Sequence, residues 1–364
     1  MTENEFRTKT KRIPVVDEAE KDDTVAPVKY DITSFGADYD VEGLVNRLNR
    51  EDILIPSFQR DYVWNQREAS RFIESLLLGL PVPGVFFARD TDSKKLVVID
   101  GQQRLKTLQF FYEGFFNPKP GAITKRVFKL IFVQKQFEGF TYKTLKDEDR
   151  IILNDSIIHA TIVKQESPRD ENTSIYHIFE RLNTEGRKLT PQQIRVAIYH
   201  GKLIDAVKMI NKHPNWRKIY GAESTTLKDQ ELIIRFLAMY FKSDDYSRPM
   251  KEFLNTFVKK NRNPNGEYLE KCKDLFINTV DTVYKGVGYE AFKPERALNA
   301  AVFDSVMVGI AKKISKGVNI RKLKIAYNDL ITNERYLKAI SQSTSDDKNV
   351  KLRFDIVTEK FSDI

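Results

Sequence analysis

The chain is short of the side chains that staple or metallate small folds: its 364 residues include one cysteine, Cys272, and four histidines. A single thiol excludes an internal disulfide framework and a cysteine-based zinc site, and fits a reducing compartment. Long apolar runs are also missing. No stretch approaches the roughly 18 consecutive apolar residues that span a bilayer, and the N-terminus lacks an apolar signal segment, so a cytoplasmic protein without a membrane partner is expected. The Walker pattern GxxxxGK[ST] does not occur, which excludes a conventional P-loop mechanism. His159, His177, His200 and His213 are scattered, without the clustering an HNH-type nuclease requires, and each is read as structural. Ser/His/Asp and Cys/His triads leave no local signature.

What is present describes a folded chain. Apolar residues make up 41% and charged residues 30%, with 24 Phe and 15 Tyr to build cores. The length suits two domains. Lys and Arg number 60 against 51 Asp and Glu, a net charge of +9 that favours polyanions such as nucleic acid or nucleotides and serves solubility equally well.

Residues 1–29 mix charged residues and Thr without apolar periodicity and read as a flexible tail. Residues 30–168 read as an α/β domain. A short strand, YDIT, precedes a helix with Val41, Leu44, Val45 and Leu48 at helical spacing. A second helix runs from Gln66 to Gly79. VFFAR and KLVVID form a hairpin around Asp90–Ser93, and a helix carrying Leu105, Leu108 and Phe111 follows directly. Further strands are predicted at Val127–Val133 and Ile157–Val163, with a helix near Thr144–Asn154. Residues 169–364 read as a mostly α-helical domain, with helices at Ser174–Leu182, Pro191–Tyr199, Leu203–Asn211, Lys228–Phe241, Lys251–Lys260, Tyr268–Tyr284, Ala297–Ile314, Ile320–Ile331 and Val350–Phe361. The fold class is α+β.

The sharpest chemical feature is Asp100-Gly101-Gln102-Gln103-Arg104, at the junction of a strand and an amphipathic helix. A helix N-terminus presents backbone N–H groups and partial positive charge, Gly101 lets a phosphate approach the main chain, and Arg104 can fork onto phosphate oxygens. Asp100 can hold Mg²⁺ or orient a water, and Gln102 and Gln103 offer amide hydrogen bonds. The same residues also suit an ordinary turn with Asp100 as N-cap. About forty residues upstream, Phe58-Gln59-Arg60-Asp61-Tyr62-Val63-Trp64 interleaves polar groups with aromatics. Arg60 can neutralise phosphate, while Trp64 suits core packing. Basic clusters at Lys259, Lys260 and Arg262, at Lys312, Lys313 and Lys316, and at Arg321, Lys322 and Lys324 can track a phosphate backbone or simply face solvent.

The stretches IPSFQRDYVW, IESLLLGLPVP, VVIDGQQRLKTL and FERLNTEGRKLTPQQIR occur in that order from Ile53 to Gly201, and together they resemble the N-terminal domain of GmrSD-type restriction enzymes. The resemblance implies a ParB/sulfiredoxin-like fold, with a helical extension, that binds and hydrolyses nucleoside triphosphates with Mg²⁺ in antiphage DNA restriction. Carried over by position, Gln59, Arg60, Gly101, Gln102, Asn183 and Arg195 bind nucleotide. Asp100, Gln103 and Arg104 carry catalysis, and Asp100 holds the metal. Asn183 also suits a helix C-terminus and Arg195 an ion pair, while Gly186 permits a left-handed turn.

Two departures matter. Gln193 stands where the family has a glutamate before its Ile-Arg pair, and no HNH half follows. The expected function is therefore an NTP-hydrolysing component that acts on DNA through a separate nuclease subunit. The alternatives are a ParB-like metal-dependent nuclease and a non-catalytic DNA-binding or nucleotide-sensing module.

Overall fold

The computed structural model describes residues 31–56, 62–90, 93–118, 125–167, 189–294 and 297–364. The chain forms two compact units: one runs from Lys29 to Leu189 and takes in Val196–Ile198, and the other comprises Thr190–Arg195 and Tyr199–Ile364.

The α/β unit contains a five-stranded mixed sheet formed by β1 (Asp31–Asp40), β2 (Ile53–Leu54), β3 (Val85–Arg89), β4 (Leu96–Asp100) and β5 (Ile157–Ser167), in the order β1-β5-β3-β4-β2. β1 pairs antiparallel with β5, β5 parallel with β3, β3 antiparallel with β4, and β4 parallel with β2. β1 is longer than YDIT because its second half alternates: Ala37 and Tyr39 pack on the core while Asp38 and Asp40 are exposed.

Local chemistry sets the helix starts. The Asp40 side chain accepts from Gly43 N to open α1 (Val41–Asn49), and Asn65 and Glu68 form a reciprocal capping box at α2 (Gln66–Leu77). α3 (Gln102–Glu113) follows β4 after one residue, and α4 (Asp147–Asp155) precedes β5. Val85, Phe87, Val98, Ile158, Ala160 and Ile162 on one sheet face share a core with Leu44, Ile73, Leu105, Leu108 and Phe111. Alternation sends Phe86, His159 and Thr161 to the other face, and a register shift between Phe86 and Phe87 pairs Asp100 with Phe86 there.

The strand expected at Val127–Val133 does not form: an isolated bridge joins Phe115 to Val127, and Leu130 exchanges backbone hydrogen bonds with Gly139 and Phe140. Side chains of α2 take up its backbone groups instead. Gln66 Nε2 donates to Lys129 O at 2.6 Å, Ile131 N donates to Ser70 Oγ at 3.1 Å, and Gln134 N donates to Glu74 Oε1 at 2.7 Å. Phe128 and Leu130 reach the core from this irregular segment, and Phe132 adopts a φ of 56° that breaks extension.

The helical unit contains α5 (Pro191–Ile198) in part, then α6 (Lys202–Ile210), α7 (Pro214–Tyr220), α8 (Lys228–Lys242), α9 (Met250–Lys260), α10 (Gly266–Gly286), α11 (Ala300–Ile314), α12 (Ile320–Leu330), α13 (Glu334–Ala339) and α14 (Asp347–Lys360). The short helices α7 and α13 have no counterpart among the sequence expectations, and the helix expected at Ser174–Leu182 lies outside the described residues. α8 and α11 are buried on most faces. Between them, Asp304 is fully enclosed and binds both Arg235 and Arg353 at 2.7 and 2.8 Å. No helix among the described residues is long and apolar enough to cross a membrane.

Candidate functional site

The strand-to-helix corner after β4 is built by Gly101 and Arg104. Gly101 takes φ 98°, and a Cβ there would lie 2.5 Å from Val85 Cγ1, so both backbone conformation and the close approach of β3 require glycine. Its identity therefore follows from packing without any phosphate. Gly101 is also the N-cap of α3, and no side chain caps this helix. The reading of Asp100 as N-cap is thereby corrected: Asp100 Oδ2 instead accepts from Arg104 Nη2 at 2.7 Å. The same Nη2 donates to Gly84 O at 2.8 Å, ahead of β3, while Arg104 Nε is buried with no partner among the described residues. The Arg104 side chain is 16% exposed and that of Asp100 54%, so an anchored cation lies beside an accessible carboxylate.

Gln103 ties this corner to the aromatic stretch. Its Oε1 accepts from Val63 N at 3.0 Å and from Trp64 N at 3.3 Å. One turn further along α3, Thr107 Oγ1 and Tyr62 Oη share a hydrogen bond of 2.7 Å. Tyr62 is buried against Phe110 and Phe116, and burial pushes its phenol up to about 12. Trp64 packs edge-on to Phe72 as a wall residue. Two segments forty residues apart in sequence thus meet along α3. Gln59, Arg60, Asn183 and Gly186 lie outside the described residues, and Gln102 is buried at the first turn of α3.

Arg195 is engaged within the helical unit. Its guanidinium has no exposed surface; it donates to Asn255 Oδ1 at 2.9 Å, to Glu231 Oε2 at 3.1 Å and to Gln192 Oε1. These bonds make it an internal clamp, in keeping with the ion-pair reading. Gln193 uses both ends of its amide: Oε1 accepts from Thr190 N at 2.9 Å, and Nε2 donates to Thr225 O at 3.2 Å. A carboxylate cannot make that second bond. Among the basic clusters, Arg262 Nε is turned onto His200 O, whereas Lys312, Lys316, Arg321, Lys322 and Lys324 are exposed.

Sequence reading missed a second polar pair. His159 Nδ1 and Asp38 Oδ1 are 2.8 Å apart, on paired residues of β5 and β1. Register puts them on the same sheet face as Asp100, because Phe86 pairs with both Asp100 and Thr161, and His159 lies two residues before Thr161. The signal available was the alternation in GADYD, which extends β1 through Asp38. His200 and His213 bind Asp205 and Asp281, and among the described residues no three His, Cys, Asp or Glu side chains gather as a metal cluster.

A comparison with curated proteins finds no match. Residues 41–200, which contain β2, β3, β4, β5, the corner at Asp100 and the Gln103 tie, match the family described as GmrSD restriction endonuclease, N-terminal domain.

Proposed function

We propose that the α/β unit is the nucleotide-handling module of a DNA restriction system that acts in antiphage defence. In this reading the unit has a ParB/sulfiredoxin-like fold, binds a nucleoside triphosphate at the Asp100–Arg104 corner and hydrolyses it, while a separate nuclease subunit cuts DNA. The supporting observation is the tie through Gln103, which anchors Val63 and Trp64 to the first turn of α3 beside the Asp100–Arg104 pair. The matched family supplies the biological setting.

Each residue has a role that follows from its surroundings. Arg104, oriented by Asp100 and by the Gly84 carbonyl, presents a partly exposed guanidinium suited to phosphate oxygens. The uncapped first turn of α3 adds partial positive charge. Asp100 keeps an exposed carboxylate with one oxygen on Arg104, a donor suited to Mg²⁺ or to one of its waters. When bound there, Mg²⁺ would neutralise charge on the phosphates. Gln103 holds Val63 and Trp64 against α3, next to the pair on which catalysis is proposed.

Phosphate release from ATP, GTP, CTP and UTP with Mg²⁺, compared between wild type, Asp100→Ala and Arg104→Ala, tests the reading. Turnover in the wild type that both substitutions depress supports it; turnover unchanged in both removes the site assignment. Cutting of plasmid by the chain alone would favour the ParB-like nuclease instead.

A further inference from the structure

We infer that His159, oriented by Asp38, is the general base that deprotonates the attacking water when the triphosphate held at the Asp100–Arg104 corner is hydrolysed. This inference rests on the nucleotide-hydrolysing reading above and assigns its proton acceptor.

Geometry carries the argument. Asp38 Oδ1 lies 2.8 Å from His159 Nδ1, so the Nδ1–H is donated to the carboxylate and the ring's lone pair is on Nε2. A carboxylate behind an imidazole fixes its tautomer and orientation and stabilises the imidazolium that forms on proton uptake. Both side chains are more than half exposed, at 62% and 66%, and Nε2 has no protein partner among the described residues. The ring lies against Gly36, where a Cβ would be 2.7 Å from His159 Cε1 and 3.2 Å from Nε2, so the absence of a side chain on β1 makes its berth.

The backbone around Gly84 joins this pair to the phosphate corner. A Cβ on Gly84 would lie 2.6 Å from His159 O, and the Gly84 carbonyl is the one that Arg104 Nη2 grips at 2.8 Å. Only the Gly84 backbone separates the guanidinium from the β5 main chain at His159. From β4 to β5 the Cα atoms of Asp100 and His159 are about 12 Å apart, by two strand spacings and a shift of two residues. Between the two strands, Gly84 just ahead of β3 leaves the sheet face beside His159 without a side chain, and Phe86 on β3 stands next to Asp100. The charged group against the imidazole is Asp38 from β1; Arg104 from α3 reaches the Gly84 carbonyl beside the His159 main chain, Asp100 lies further along the same face, and Thr161 follows on the histidine's own strand.

The step balances. A water O–H bond breaks and its proton passes to His159 Nε2 as the water oxygen bonds to the terminal phosphorus. The bond from that phosphorus to the bridging oxygen breaks, and its electron pair leaves on the nucleoside diphosphate. The imidazolium then releases its proton to solvent.

The test measures steady-state hydrolysis of ATP, GTP, CTP and UTP with Mg²⁺ from pH 5 to 9 for wild type, His159→Gln, His159→Ala and Asp38→Asn, with circular dichroism confirming the fold. For the nucleotide that the wild type hydrolyses, His159→Gln is expected to lose about 10²–10⁴-fold in kcat. Its KM should stay within about threefold, because the base acts in the chemical step. Added imidazole should restore turnover to His159→Ala. Asp38→Asn should lose about 10–100-fold, as expected for a residue that orients the base. A wild type that hydrolyses while His159→Gln stays within twofold of it overturns this inference alone, as does a loss confined to KM. A wild type that hydrolyses none of the four overturns the nucleotide-hydrolysing reading and this one with it.

Discussion

Replacing Gln103 by leucine is the perturbation that most directly probes how the corner is assembled. The substitution removes the oxygen that accepts from Val63 N and Trp64 N at 3.0 and 3.3 Å. Val63 is exposed, so water can replace the lost partner on its amide. Trp64 is half-buried, and its amide loses more. With about 0.5–1.5 kcal/mol for each hydrogen bond and the water-accessible one at the low end, the loss is about 1–2 kcal/mol. For a unit of this size that lowers Tm by about 2–4 °C per kcal/mol. Glutamate at the same position separates the anchor from the ligand. Its carboxylate still accepts from both amides, so stability should stay within about 0.5 kcal/mol of wild type. A new negative charge beside bound phosphates should nevertheless weaken nucleotide binding by on the order of 1 kcal/mol, about fivefold. Urea denaturation and nucleotide titration of both variants provide the two readouts. If Gln103→Leu proves as stable as wild type and binds nucleotide equally well, the tie is not what assembles the site.

Other substitutions probe different links. Gly101→Ala should destabilise the α/β unit by about 2–4 kcal/mol, from left-handed backbone strain plus overlap with Val85, and Val85→Ala should recover part of that loss in a double-mutant melt. Tyr62→Phe and Thr107→Val should each cost about 1 kcal/mol, yet their combination should cost less than the sum, because each removes the same hydrogen bond. In the helical unit, Asp304→Asn removes the buried carboxylate that Arg235 and Arg353 share and should cost about 3–5 kcal/mol; a mild effect in calorimetry would contradict the clamp. Burial alone would raise the Asp281 carboxyl, but hydrogen bonds from His213 and Asn215 and the charges of His213 and Lys285 bring it below its usual value. Its contribution is thus present above the unfolded carboxyl value near pH 4 and fades as pH falls through the lower folded one. Asp281→Asn should accordingly cost stability at pH 6 and much less near pH 2, as judged by urea melts at each pH.

How much was legible in sequence depended on whether the signal was local. The Val41, Leu44, Val45 and Leu48 periodicity gave α1, and the VFFAR and KLVVID runs gave the β3–β4 hairpin, because 3.6-residue and two-residue periods are written in consecutive positions. Apolar content misled at Val127–Val133, where the segment's backbone is satisfied by Gln66, Ser70 and Glu74 some sixty residues upstream rather than by a neighbouring strand. At the candidate site, the DGQQR residues stood out by type, but the roles within them did not. The alternative reading of Asp100 as a cap gives way to its bond with Arg104, and Gln103, expected in catalysis, accepts hydrogen bonds from Val63 N and Trp64 N.

By itself, then, the sequence determined the periodic elements, the glycine at the strand-to-helix turn and the family likeness, all of which are properties of neighbours along the chain. Only the tertiary structure decided that residues 62–64 meet α3, that Arg195 is consumed internally, and that Asp38 and His159 share a sheet face with Asp100. The physical reason is register: strand pairing and side-chain alternation bring together residues more than a hundred positions apart, and a shift of one residue would have sent His159 into the core.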